Sequence, residues 1–280
     1  MNIQQSIHNW MTEHRQSAVR LLKRFVEEAS VQGSEKHAQA IVIERLRQLQ
    51  LDIDIWEPDE KILRTHEAFA SNRSTFRDSP NVVGVLKGKG GGKSIILNGH
   101  IDVVPPGDLS QWTEDPYTAV VKDGNLYGRG ATDMKGGNVS LLLAIQALKE
   151  LDISLKGDII FQSVVEEESG GAGTLSCVLR GYKADGAIIP EPTNMKIFPK
   201  QQGSMWFRVT VHGVAAHGGT RYEGVSAIEK AAVVLKHIEG LEKRETAELP
   251  IRSIIKFPFP CQLISEIYRE ERGLLQSLIK

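Results

Sequence analysis

"IILNGHIDVVPP", Ile95 to Pro106, decides how this chain is read. It opens as an apolar run fit for a buried strand, then sets His100 and Asp102 two residues apart ahead of two prolines. In a strand, residues i and i+2 face the same side, so the pair is expected to project together from the strand's C-terminal end. Ligands of α/β sheets bind at that edge. An aspartate so placed can accept an imidazole N–H, fix the ring tautomer and strengthen the other nitrogen as a metal ligand. A plain surface pair at a strand end is the alternative.

The surroundings predict alternating elements. Helical spacing over Thr12–Ala29 and Glu35–Leu49, the second with Ser34 as N-cap, precedes strands at "LDIDIWE", "NVVGVL" and "SIILNGHI". A helical "VSLLLAIQALKEL", a strand "GDIIFQSVV", a helical "GTLSCVLRGY" and a strand "GAIIP" follow. This order indicates an α/β fold with a mostly parallel sheet flanked by helices. After residue 197 the texture changes. "SMWFRVTVHG" alternates like a half-exposed strand, and "SAIEKAAVVLKHIEGLEK" is a helix opening with a capping box, Ser226 to Glu229. The expected organisation is a metal-binding catalytic domain over 1–197, a partial α+β lid over 198–255 and an atypical tail over 256–280. The tract Gly88–Ser94, "GKGGGKS", is one residue short of a P-loop and leads into a strand rather than a helix, so a loop between strands is expected.

Three further carboxylate segments share the placement of His100. Asp133 lies among glycines in "GRGATDMKGG", just before a helix; a helix N-terminal charge is its bland reading, but the glycines suggest unusual backbone angles presenting one side chain. Glu166, Glu167 and Glu168 continue an apolar strand, where like charges repel unless a cation or proton offsets them. Glu191 ends another apolar strand between two prolines. One imidazole with several carboxylates suits a zinc-like ion. Too many carboxylates for one tetrahedral site suggests two ions sharing an aspartate, with a spare glutamate, Glu167, as general base.

Composition restricts the partners. Of 280 residues 41% are hydrophobic, and 34 Lys plus Arg nearly balance 35 Asp plus Glu, so no bulk charge draws the chain to nucleic acid or to an anionic membrane. Two cysteines, Cys177 and Cys261, lie in no metal-type spacing and read as free thiols of a reducing compartment. With a polar N-terminus and no apolar run of membrane-spanning length, a cytoplasmic location is expected.

The motifs "GHIDVVP", "LYGRGATDMKGG", "EEESGGAG", "PEPT" and "VHGVAAHGG", in order over residues 10–255, closely resemble the dinuclear metallohydrolase family of acetylornithine deacetylase, succinyl-diaminopimelate desuccinylase, aminoacylase and glutamate carboxypeptidase. The resemblance implies two divalent ions, Zn²⁺ or Co²⁺, with His100 and Glu191 on one, Glu168 on the other and Asp133 bridging. It implies Asp102 as orienting partner of His100, Glu167 as general base, and a cis peptide at Asp133–Met134. It further implies a dimerising lid whose His217 binds the substrate carbonyl across a homodimer; His212 is read as an ordinary strand residue. The expected reaction is hydrolysis of an N-acyl amino acid, with a metallo-dipeptidase or carboxypeptidase acting on short peptides as the alternative. The resemblance stops near Ile255, before the rest of the lid, the last catalytic-domain strands and a histidine of the second metal site. A truncated or frame-shifted copy, prone to aggregate and reduced at the limit to a non-catalytic remnant with one metal site, is therefore also expected.

Overall fold

The computed structural model of the chain describes residues 2–199 and 208–248, which divide into two compact units. In the first, α1 (Ile3–Glu27) starts where the Asn2 side chain accepts the Gln4 amide proton, satisfying a donor that a helix start leaves unpaired. It begins well before Thr12, and Trp10 turns inward to donate its indole N–H to Glu150 at 2.7 Å. Next comes α2 (Lys36–Gln48). Ser34 is not its cap: the helix starts from Glu35, whose buried carboxylate is drawn instead to Arg73 at 3.0 Å and to the Ser79 hydroxyl at 2.7 Å. Truncating Arg73 to alanine leaves that buried carboxylate without its counter-charge, with only the Ser79 hydroxyl beside it, and should cost about 3–5 kcal/mol in a denaturant melt.

Strands β1 (Asp52–Trp56), β2 (Asn81–Leu86) and β3 (Ile95–His100) follow, with the short helix α3 (Glu60–Leu63) between the first two. The strands β4 (Val120–Lys122) and β5 (Asn125–Tyr127) form a separate hairpin. A π turn, Ala131–Lys135, runs into α4 (Gly136–Glu150), and β6 (Ile159–Val164), α5 (Ala172–Leu179) and β7 (Gly186–Ile188) are the remaining elements of the unit. The main sheet has the order β1-β2-β6-β3-β7. Its α/β character is as expected, but the parallel part is confined to β6-β3-β7, while β2 runs antiparallel to β6 and β1 antiparallel to β2. Connections decide this. Parallel strands need a crossover element; α4 lies between β3 and β6, and α5 between β6 and β7, whereas β1 and β2 are joined through a single four-residue helix.

The pleat divides the core between the two faces of the sheet. Val82, Leu97 and Phe161 pack with Phe25, Leu46 and Leu142 from the helices, and Val83, Ile96 and Ile160 pack with Cys177 of α5. Cys177 is a buried free thiol; Cys261 and the tail 256–280 lie outside the described residues. In the middle of the sheet Asn98 and Gln162 stand opposite one another, and Asn98 donates to the Gln162 side-chain carbonyl at 2.9 Å. Gly88 and Ser94 donate their amides to Asp158 and Asp185, at 2.9 and 2.7 Å. No helix follows them, so the glycine tract is the expected loop between strands.

In the second unit, α6 (Ala227–Glu248) starts at Ser226, whose hydroxyl accepts the Glu229 amide proton at 3.2 Å, while the Glu229 carboxylate pairs with Arg221. The strand expected over Ser204–Gly213 does not form in its described part, residues 208–213; Val214 makes one isolated bridge to Val225. Among the described residues, no helix is long and apolar enough to cross a membrane.

Candidate metal centre

His100 is the last residue of β3 and is 1% exposed. Its backbone is held on both sides. The His100 amide donates to Met134 Sδ at 3.2 Å, and Asn138, in the first turn of α4, donates its side-chain amide to the His100 carbonyl at 2.6 Å. Gly99 makes room for this: a Cβ there would stand 2.2 Å from Asn138 Oδ1 and 3.0 Å from Met134 Cε. Gly99→Ala should therefore displace both supports and cost about 1–3 kcal/mol, with weaker metal uptake, measured by melting with and without Zn²⁺.

Each carboxylate is presented by a different device. Asp133 lies in the π turn, where the Asp133–Met134 peptide is cis as expected and Gly130 adopts φ 76. Glu166, two residues past the last of β6, takes φ 58 and opens a turn, so that Glu167 and Glu168 follow at the sheet edge. Asn81 secures this reversal, accepting the Val165 amide at 3.1 Å and donating to the Gly173 carbonyl at 2.7 Å. Glu191 follows Pro190, whose carbonyl lies so near Gly137 that a Cβ there would come within 2.6 Å.

These devices bring five side chains together. His100 Nε2 is 3.0 Å from Asp133 and 3.9 Å from both Glu167 and Glu191. Ligand atoms of His100, Asp133 and Glu168 lie within 4.8 Å of one another, and so do those of His100, Glu167 and Glu191. Electrostatics mark the place as one built for cations. Burial opposes charge on His100, but the bond to Asp133 and the fields of Asp102, Glu167 and Glu191 outweigh it and raise its pKa to about 10. Burial, with the like charges of Asp133, Asp102 and Glu191, pushes Glu168 up to about 7 against the pull of His100. A divalent ion would take the place of these protons, offsetting the like charges that raise Glu168 and binding His100 as a neutral imidazole, and one imidazole with four carboxylates is a donor set that borderline and hard divalent ions accept. The residues fit the group.

A family model for peptidase family M20/M25/M40 matches residues 96–257, a segment that includes every one of these side chains. The chain belongs to that family. Among curated proteins it is 34% identical over 256 residues to the N-formyl-4-amino-5-aminomethyl-2-methylpyrimidine deformylase of Bacillus subtilis, covering 85% of this chain and 55% of that protein. It is 39% identical over 143 residues to a probable succinyl-diaminopimelate desuccinylase of Staphylococcus aureus, covering 50% of this chain and 35% of that one. The chain thus spans about half the length, or less, of these relatives. Of solved structures, a Staphylococcus aureus tripeptidase aligns with TM-score 0.55 at 25% identity, over 79% of this chain and 56% of that one. Human carnosine dipeptidase 1 aligns with TM-score 0.53 at 19% identity, over 72% of this chain and 43% of that one, a likeness of fold.

Within this M20 member, Asp102 meets the imidazole through both its main chain and its side chain. His100 Nδ1 bonds to the Asp102 backbone carbonyl at 2.9 Å, and the nearest carboxylate oxygen is 3.7 Å away. The strand ends at His100, so the i, i+2 rule no longer governs Asp102. The carboxylate also accepts the amides of Glu167 and Glu168, at 3.2 and 3.1 Å. His217 lies in the second unit, where its Nδ1 accepts the Gly219 amide proton at 3.2 Å. The sequence assigned no role to the Met134 thioether, to Asn138 or to Lys135, though the glycine-flanked "DMKGGN" marks all three, and it grouped Glu166 with its neighbouring carboxylates without foreseeing its burial. Lys135 donates to the Glu28 carbonyl at 2.8 Å, and burial, against the attraction of Glu28 and Asp102, lowers its pKa to about 7. Glu166 is bonded by the Ser71 hydroxyl, and its pKa is raised to about 7, chiefly by burial.

Proposed function

We propose that this chain carries the metal-binding half of an amidohydrolase that cleaves linear amide bonds in small N-acylated amines and amino acids. The observation that carries the reading is the convergence of His100, Asp133, Glu167, Glu168 and Glu191 into two three-residue groups sharing one imidazole. His100 and Glu191 would hold one ion, Glu168 the other, and Asp133 both. Bound there, the ions would polarise the amide carbonyl and acidify water. Glu167, at the sheet edge beside His100, takes the proton from the attacking water and passes it to the leaving amine. His217, on the lid, donates to the oxyanion, reaching it across a homodimer. Zn²⁺ and Co²⁺ are the ions of choice, and the buried thiol of Cys177 suits a reducing, cytoplasmic setting.

The names of the relatives suggest the acyl group. The deformylase and desuccinylase point toward small N-acyl substrates, whereas the tripeptidase and the carnosine dipeptidase point toward short peptides. The sequence matches favour the first class. A panel of an N-formyl aminomethylpyrimidine, N-acetylornithine, N-succinyl-diaminopimelate and a dipeptide, assayed with Zn²⁺ or Co²⁺, tests this. Release of free amine from an N-acyl substrate is the expected result. Hydrolysis of the dipeptide alone would move the protein to the peptidase reading, and no turnover with one bound ion per chain would make it a non-catalytic remnant.

A further inference from the structure

We propose that Ser71 is a positioning residue for Glu167 and Glu168, acting through the carboxylate of Glu166, so that the segment between α3 and β2 belongs to the metal centre. The inference deepens the proposed function and rests on its reading of those two glutamates as site residues. Glu166 stands where a glutamate is out of place. It takes φ 58, a left-handed conformation that favours glycine or asparagine, and it is fully buried although the next two carboxylates join the ligand groups. Such a conformation persists only where the surroundings hold it.

What holds it is the stretch Ala70–Ser71. The Ser71 hydroxyl accepts the Arg73 amide proton at 3.0 Å and donates to Glu166 Oε1, which the Ser169 hydroxyl also reaches at 3.3 Å. A hydroxyl bonded to a buried carboxylate is among the stronger hydrogen bonds a side chain makes. Four residues on, the turn meets the same stretch again. A Cβ on Gly170 would stand 3.0 Å from the Ser71 nitrogen and 3.2 Å from the Ala70 carbonyl carbon. Glu167, Glu168 and Ser169 are thus bracketed by two contacts with one short segment. That segment is itself anchored: Arg73 pairs with Glu35 at 3.0 Å and donates to Ser79 at 2.6 Å, and Phe76 is buried in the core. Because Glu168 belongs to one ligand group and Glu167 to the other, slack in this latch would move a donor in each.

The test reads local structure and metal rather than turnover, so a chain that fails to hydrolyse amides leaves it intact. Amide hydrogen exchange of the metal-free 280-residue chain is compared with that of Ser71→Ala, which removes the hydroxyl, and of Ser71→Thr, which restores one. In the alanine variant, exchange at Glu167, Glu168 and Gly171, whose amides are all hydrogen-bonded, should accelerate about tenfold or more relative to amides of β6. Threonine should recover most of that protection. The visible spectrum of the Co²⁺-loaded alanine variant should also change, because donors on the turn shift, while the threonine variant stays close to wild type. Unchanged exchange at the three amides, an equal acceleration across the whole sheet, or an unchanged Co²⁺ spectrum would each overturn the proposal. Failure of the wild type to take up Co²⁺ would count against the metal-centre reading instead, and exchange would still decide whether Ser71 holds the turn. If Ser71→Ala does not fold, Gly170→Ala, which forces the same two surfaces apart, takes its place with the same expected and overturning results.

Discussion

Replacing His100 with alanine is expected to abolish tight uptake of divalent metal altogether, rather than to remove one ion of two. Both three-residue groups include the His100 imidazole and neither keeps three donors without it, while the ion assigned to Glu168 would have only Asp133 beside it among the described residues, too few donors for tight binding on its own. A ligand at a hundredfold excess over its Kd stabilises the folded state by about 2.7 kcal/mol. Wild type should show a corresponding rise in Tm with Zn²⁺, and His100→Ala none, provided the variant still melts cooperatively. Dialysed protein should agree, with metal in the wild type and essentially none in the variant. A variant that keeps one ion per chain would show that one group assembles without His100.

The second large effect concerns turnover. Glu167→Gln keeps the size of the side chain and removes its capacity to take a proton, so hydrolysis should fall by about 10²–10⁴-fold. Zinc uptake should change far less. Measured together, rate and metal content separate the two uses of this residue: a rate that falls in step with lost metal would assign Glu167 as a ligand beside His100 and Glu191, and a rate that falls alone assigns it as the base.

The ends of β3 and β6 were legible because buried apolar runs that finish in titratable residues are hard to explain otherwise. The motifs supplied the grouping of His100, Asp133, Glu168 and Glu191, and the geometry joins them to Glu167. What alternation could not carry was direction. "LDIDIWE" reads as extended either way, and its antiparallel pairing with β2 follows from the connection. Nor could it carry Asp102 past the end of its strand, or foresee that Glu35 would be claimed by Arg73 and leave α2 without a side-chain cap. The hairpin of β4 and β5 escaped notice because three-residue strands are too short for a period to register. Around "RVTVHG" the alternation was present, but among the described residues no neighbouring strand takes up its ladder bonds, and an extended pattern alone does not make a sheet.

The pair formed by Asn98 and Gln162 acts as a vernier. Sliding these parallel strands by a single residue would set Asn98 opposite Phe161 or Ser163 and Gln162 opposite Gly99 or Leu97, breaking the bond between the amides at a cost of roughly 2–7 kcal/mol for a buried polar group left without a partner. In the one alignment that joins them, His100 stands level with Val164, two residues short of the turn at Glu166. The joined alignment is thus favoured over its neighbours. The imidazole and the glutamates reach their common height from the ordering of the strands, so that a metal ion arriving later meets donors already levelled with one another.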